Sequence, residues 1–198
     1  MSLKLNPKGY NIILASQSPR RKQLLADLGY SFTQMSKDLD ESFSPNLPIF
    51  EVAEFLACKK ADGFQDDLKT NDLLITSDTT VCLADEILNK AANVIEAKNM
   101  LQKLSGKSHE VITGVCLSSL DKRISFSAST TVYFKKLNEQ EIDYYIANFQ
   151  PFDKAGAYGI QEWIGFIGVE KIEGSYFNVM GLPVKPVSYT HLTLPTKR

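Results

Sequence analysis

Short apolar runs and amphipathic segments alternate along this chain. Residues 11–16 (NIILAS) form an apolar run ending in small polar residues, the pattern of a buried strand. A helix follows at once: Ser18 is placed to cap it, Pro19 suits its first position, and Leu24, Leu25 and Leu28 form its apolar stripe before Gly29 stops it. A second helix is predicted from about Pro48 to Ala61. The run 73–83 (LLITSDTTVCL) reads as a buried strand interrupted by a polar patch. Asn93 and Glu96 match a capping box opening a helix with Ala97, Met100, Leu101 and Leu104 on one face, closed by Gly106. Two long β-rich runs, His109–Leu120 and Arg123–Leu137, read as an antiparallel hairpin turning around Asp121-Lys122. Asn138 and Glu141 repeat the capping pattern before a helix carrying Ile142, Tyr145, Ile146 and Phe149. The last third, rich in glycine and aromatics, reads as loops and short strands. Alternating strands and helices without a linker or repeat predict one continuous α/β or α+β domain with a mixed sheet.

At 198 residues, 43% hydrophobic and 23% charged, the chain has the totals of an ordinary soluble globular protein. A net charge of −1 provides no global positive field for nucleic acid or an anionic membrane, so a polyanionic ligand must meet a local basic pocket. Cys58, Cys82 and Cys116 form no CxxC pair, and they read as small buried hydrophobes in a reducing compartment. No secretory leader is visible and no apolar run approaches the ~20 residues of a membrane span. A cytoplasmic protein is expected.

The candidate chemistry begins at the strand-to-helix junction ASQSPRR (15–21). Arg20, Arg21 and Lys22 fall in a first helical turn whose dipole is already positive, an unfavourable placement unless an anion sits beside them. Backbone N–H groups, the Ser16 and Ser18 hydroxyls and two guanidiniums are expected to cradle a polyphosphate. Asp78, in TSDTT, is expected at or near the end of its strand, where a carboxylate either binds a hard cation, takes a proton from water, or caps a turn. Lys60 extends the helical stripe of Ala53, Leu56 and Ala57, and either snorkels outward or points at an anion, whereas Lys59 turns away. Asp40 and Glu41, in DLDESF, are either a solvated acidic loop or help to hold Mg²⁺ or Mn²⁺. His109 reads as structural, and no Gly-rich phosphate loop of the P-loop or dinucleotide type is present.

ASQSPRRKQLL (15–25), SDTTV (77–81), Lys90, LSGKSHEVITGV (104–115), DKAGAYGIQ (153–161) and GSYFNVMGLPV (174–184) together resemble the Maf family, over nearly the whole chain to about residue 186. The resemblance implies a two-lobed, inosine triphosphate pyrophosphatase-like fold with an elongated, bent mixed sheet flanked by helices and the substrate in the cleft between lobes. It also implies cleavage between the α- and β-phosphates of a nucleoside triphosphate, a divalent cation (Mg²⁺, Mn²⁺ or Co²⁺) and a homodimer. Carried over by motif, Asp78 is the catalytic proton acceptor or a metal ligand. Ser16, Arg21, Glu41, Lys60 and Lys90 are phosphate, metal or catalytic contacts, with Glu41 beside Asp78 at the metal. Arg20, Thr79 and Gln161 match positions tied to substrate choice.

SPRR and AGAYGIQ resemble the branch that prefers dTTP and UTP, with modified pyrimidine nucleotides as further substrates. The alternatives are the branch acting on 7-methyl-GTP and a regulatory nucleotide-binding protein of the septum-formation-inhibitor type. Two departures stand out. Lys90 lies between Asn89 and Ala91, where the family usually has Gly and Pro, so its loop is expected to be looser. Residues 187–198 show no helical stripe and contain Pro195, and are set aside as an atypical tail, a candidate for non-native sequence.

Overall fold

The computed structural model describes residues 9–193 and divides them into two compact units. The first comprises residues up to Asp78, Thr113–Ala128 and those from Gly181; the second comprises Thr79–Ile112 and Ser129–Met180. The class is mixed α/β, with a seven-stranded mixed sheet and helices. The strands are β1 (Asn11–Ala15), β2 (Phe32–Met35), β3 (Asp72–Leu83), β4 (Glu86–Leu88), β5 (Ser108–Ser118), β6 (Arg123–Phe134) and β7 (Val169–Glu173), in the order β2-β1-β3-β5-β6-β7 with β4 on β3. β3, β5 and β6 each begin in one unit and end in the other.

In the first unit β1 pairs in parallel with both β2 and β3, Leu14 opposite Gln34 on one side and Ile75 on the other. Parallel strands are covered on their faces, and Ile12, Leu14, Leu73, Leu74 and Ile75 are accordingly buried. Helix α1 (Pro19–Asp27) starts as the sequence predicts, Ser18 capping it by accepting from the Arg21 amide, and Gly29 adopts φ +80° just past its end. Helix α2 (Val52–Asp62) starts four residues later than predicted, because Pro48–Glu51 form a turn closed by the Glu51 amide on the Pro48 carbonyl. α2 sits backbone-to-backbone on β5. A Cβ on Gly114 would lie 2.3 Å from the Ala53 carbonyl, so only glycine permits this approach. The buried Thr76 hydroxyl adds a bond to the Ala57 carbonyl at 2.7 Å.

In the second unit β4 pairs antiparallel with the end of β3, and β7 antiparallel with β6. Helix α3 (Val94–Leu104) is capped by Asn93, and Glu96 reaches back to the Ala92 amide instead of that of Asn93. Helix α4 (Glu139–Phe149) has a complete capping box between Asn138 and Glu141. Their apolar faces, with Val111, Val132, Phe134 and Tyr158, build this unit's core. The last third is more helical than its composition suggests: α5 (Trp163–Gly168), α6 (Tyr176–Met180) and α7 (Val184–Thr193) occupy much of it. The tail set aside from residue 187 is helical through Thr193, while 194–198, with Pro195, lie outside the described residues. Among the described residues no helix is long and apolar enough to cross a membrane.

Candidate functional site

Of the nine site residues carried over by motif, six (Ser16, Arg20, Arg21, Glu41, Lys60 and Asp78) fall in the first unit, and all but Arg20 form one charge cluster or its immediate support. Asp78 lies in the middle of β3, not near its end as expected, and is its last residue in this unit. The strand is continuous through the polar patch, its hydroxyls being satisfied locally: Thr76 by the Ala57 carbonyl and Ser77 by the Gly181 carbonyl at 3.1 Å. Lys60 points inward along the stripe of α2. Its Nζ lies 2.5 Å from an Asp78 carboxylate oxygen and 2.8 Å from one of Glu41. Of the two outcomes open for Lys60, the structure selects the one facing charge. The two side chains are 17% and 14% exposed, against 51% for Glu41, so the Lys60–Asp78 pair is well shielded from water.

The adjacent acid and base separate from this cluster. Lys59 turns to the other side and holds Asp40 at 2.8 Å, with the Ser42 carbonyl at 2.7 Å. The Asp40 carboxyl is held well below its ordinary range by the Lys59 bond, with further bonds from Ser42. Two consecutive lysines and two consecutive acids therefore form two different pairs. Helical phase assigns them.

Arg21 completes the cluster. Its Nε donates to the Gly181 carbonyl at 2.8 Å, and its NH1 lies 3.5 Å from the Ser16 hydroxyl. Burial lowers its pKa; the carboxylates of Asp78 and Glu41 act the other way, and Arg20 adds to the lowering. One correction concerns the backbone. The amides of the first helical turn were expected to be open to an anion, but the Arg21 amide donates to Ser18 Oγ and the Lys22 amide to the Ser18 carbonyl. Ser18's own amide donates to Ser16 Oγ, and Pro19 has no N–H. These three amides, of Ser18, Arg21 and Lys22, are thus engaged within the junction itself. Arg20 is partly exposed beside Arg21.

Gly181 escaped notice in the sequence. Its carbonyl accepts from both Arg21 and Ser77, so one atom ties α1 to β3 beside Asp78. The only sequence signal was the segment GSYFNVMGLPV itself, which gives no hint that a backbone oxygen carries the role.

Thr79, Lys90 and Gln161 belong to the second unit. Thr79 follows Asp78 on β3 and is partly exposed. Lys90 is exposed and forms a β-bridge with Ala155, while the Gly156 amide donates to the carbonyls of Leu88 and Asn89. Its loop is thus tied down despite lacking the expected Gly and Pro. Gly156, at φ +68°, approaches Val81 so closely that a Cβ would sit 3.0 Å from it. The same segment is fastened at its far end: Tyr145 donates to Glu162 and accepts from the Gly159 amide at 2.9 Å, and Lys154 binds Glu162 at 3.0 Å. Between these anchors Gln161 has a buried Oε1 with no hydrogen-bond partner among the described residues. His109 is structural as expected, buried and 2.7 Å from the Tyr158 hydroxyl.

The donor set can be tested for a cation. Glu41 and Asp78 supply hard oxygens converging on a single Nζ, and among the described residues no group of three or more His, Cys, Asp or Glu is placed to hold a metal. That suits an ion like Mg²⁺, which keeps several waters and is held by one or two carboxylates with substrate phosphates, and does not suit an all-protein cage.

Carboxylates, an inward lysine and a partly buried arginine are thus grouped beside a parallel strand of an α/β fold, a charge set suited to phosphate. The sequence model of the "Maf-like protein" family matches residues 11–191, and the chain belongs to that family. A "dTTP/UTP pyrophosphatase" of Phocaeicola vulgatus is 50% identical over 188 residues, 94% of this chain and 97% of that one. A protein of the same description from Flavobacterium johnsoniae is 48% identical over 191 residues, 96% and 98% of the two chains. Among solved structures, the Staphylococcus aureus Ham1 protein aligns with a TM-score of 0.44 at 15% identity, over 63% of this chain and 71% of that one.

Proposed function

We propose that this protein hydrolyses dTTP and UTP between the α- and β-phosphates, releasing the nucleoside monophosphate and pyrophosphate. The observation that carries the reading is the Glu41–Lys60–Asp78 cluster beside Arg21, in a chain half identical to dTTP/UTP pyrophosphatases along nearly its full length. Arg21, fixed through its Nε, and Ser16 bind phosphate oxygens. Lys60 holds the Asp78 carboxylate in place and offsets charge on the leaving pyrophosphate. Asp78 orients the attacking water and accepts its proton. A divalent cation, held by Asp78 and Glu41, supplies further charge neutralisation on the phosphates when bound. Lys90 is a further phosphate contact, and Arg20 and Thr79 contribute to substrate choice. The reading includes a homodimer acting in the cytoplasm.

Gln161 is the proposed reader of the base. Its amide carries both a donor and an acceptor, matching the imide edge shared by uracil and thymine, and its buried Oε1 has no partner among the described residues. Cytosine presents the opposite order and leaves a group unpaired, a mismatch of about 1–3 kcal/mol. A panel of nucleoside triphosphates with Mg²⁺, Mn²⁺ or Co²⁺, scored for pyrophosphate against orthophosphate, tests the whole reading. dTTP and UTP should exceed CTP and the purine nucleotides, and Gln161→Ala should flatten that preference more than it lowers the best rate. Orthophosphate and the diphosphate as primary products would sink the bond assignment. Preference for 7-methyl-GTP would sink the base assignment alone.

A further inference from the structure

The first unit holds a second reactive feature, unrelated to the phosphate cluster. Cys58 on α2 packs against the buried cluster that contains Cys116 of β5. Their elements cannot drift apart here, because Gly114 lets α2 rest on the β5 backbone and Thr76 Oγ1 lies 2.7 Å from the Ala57 carbonyl and 3.3 Å from that of Cys116. The two thiols differ in exposure: Cys58 is partly exposed, whereas Cys116 is wholly buried. The surroundings are mixed: Ala57, Ala61 and Leu74 share the apolar cluster with Cys116, and a polar chain runs beside it. Cys116 Sγ lies 3.4 Å from Ser118 Oγ, Ser118 Oγ accepts from Arg123 Nε at 3.1 Å, and Arg123 reaches Asp62 on α2 at 2.6 Å. Ser125 donates to Glu54 of α2 at 2.7 Å.

We propose that Cys58 and Cys116 form a peroxide-oxidisable dithiol that closes into an intramolecular disulfide. Thiols used only as packing do not need a polar shell or a water-facing member. Here the accessible thiol sits on a helix that Thr76 ties to its buried neighbour's strand, the arrangement of an attacking and a resolving cysteine. The neighbouring Cys116 thiol lowers the Cys58 pKa, with smaller help from Ser125 and Arg123, while burial and Glu54 oppose it. Cys116 is raised by the same interaction and by burial, so it keeps its proton.

In the first step the Cys58 thiolate sulfur attacks one oxygen of hydrogen peroxide. The O–O bond breaks, Cys58 becomes a sulfenic acid, and hydroxide leaves and takes a proton from solvent. Cys116 sulfur then attacks the Cys58 sulfur. The S–O bond breaks, and the departing hydroxide takes the Cys116 thiol proton as water. Two thiols lose two electrons and two protons, and the peroxide is reduced to two waters. An external dithiol restores the pair by exchange.

The test is peptide mapping of the intact protein, without reduction, after brief exposure to hydrogen peroxide at neutral pH. The expected product is a monomer lighter by two hydrogen atoms, with a linked Cys58–Cys116 peptide, Cys82 still open to alkylation, and full reversal by dithiothreitol. Cys116→Ser should instead accumulate a Cys58 sulfenic acid that dimedone traps, and Cys58→Ser should lose the rapid reaction. The wild-type map requires no variant to fold. A Cys58 that stays a free thiol, that proceeds to sulfinic acid with Cys116 untouched, or that links to Cys82 or to another chain overturns the proposal. None of these readouts depends on nucleotide turnover, so the two assignments fail separately.

Discussion

Replacing Lys60 by methionine keeps the apolar stem and removes only the charge that holds Asp78 and Glu41. Exposed ion pairs are worth ~0–1 kcal/mol, and breaking a fully buried one costs about 3–5 kcal/mol. The Lys60–Asp78 pair, at 17% and 14% exposure, lies between these limits, and Glu41 adds a second, half-exposed partner. Lys60→Met should therefore destabilise the fold by about 2 kcal/mol, because two carboxylates are left facing each other without their cation. Turnover should fall more steeply, by roughly 100-fold or more, the scale of losing one preorganised charge at developing negative oxygen. Lys59→Met is the internal control. Lys59 pairs with Asp40, whose side chain is 70% exposed, so this variant should lose far less stability and retain near wild-type turnover. Urea midpoints with unchanged slopes give the stabilities, and coupled pyrophosphate release gives the rates. Equal losses in both variants would refute the division of labour assigned to the two lysines.

Two further outcomes follow from the same structure. Asp78→Asn preserves shape while removing the charge that orients water, so kcat should fall at least ~100-fold, and the urea midpoint should fall less than in Lys60→Met because Lys60 keeps Glu41 at 2.8 Å; a folded variant turning over normally would remove Asp78 from the mechanism. His109, buried against Tyr158 and Phe134, has its pKa pushed down to about 4 from 6.5 by burial, with Glu110 acting weakly the other way. The unfolded chain therefore takes up this proton first as pH falls. The stability contributed by neutral His109 is full above about pH 6.5 and lost progressively towards pH 4, a total of about 3 kcal/mol. Urea midpoints across that window should fall more steeply in wild type than in His109→Gln, and parallel slopes would exclude His109 as the cause.

How far the sequence could be read depended on how local each determinant is. The caps of α1, α3 and α4 were legible because a side chain and an amide three residues away decide them. The inward course of Lys60 was half legible: helical phase set it on the buried stripe, but only the partner carboxylates decide between snorkelling and facing inward. The start of α2 was misread because Pro48 is acceptable in a first helical turn and equally so in the turn that the Glu51 amide closes. The last third hid its helices because α5 and α6 are six and five residues long, too short to display a periodic stripe. Asp78 was expected at or near a strand end because open α/β sheets place functional groups there. The structure carries it mid-strand and offsets the cost of a shielded carboxylate from outside the strand, with Lys60 in the last turn of α2.

The remaining part of the site was illegible for a different reason: its constraints are carried by backbone atoms. Arg21 is aimed by the Gly181 carbonyl, and Ser77 shares that acceptor, so the guanidinium and the strand bearing Asp78 are located by one oxygen from 160 residues further along the chain. Every residue has a carbonyl, and no pattern of side chains marks which one will serve. The same holds for the amides at the start of α1, which Ser16 and Ser18 occupy before any ligand arrives. A sequence motif of serines and arginines therefore names the segment without showing which of its amides the serines already hold, or that the direction of Arg21 is set by another segment. Substituting Gly181 would change no functional side chain, yet at φ +110° it would disturb the carbonyl on which two of them depend.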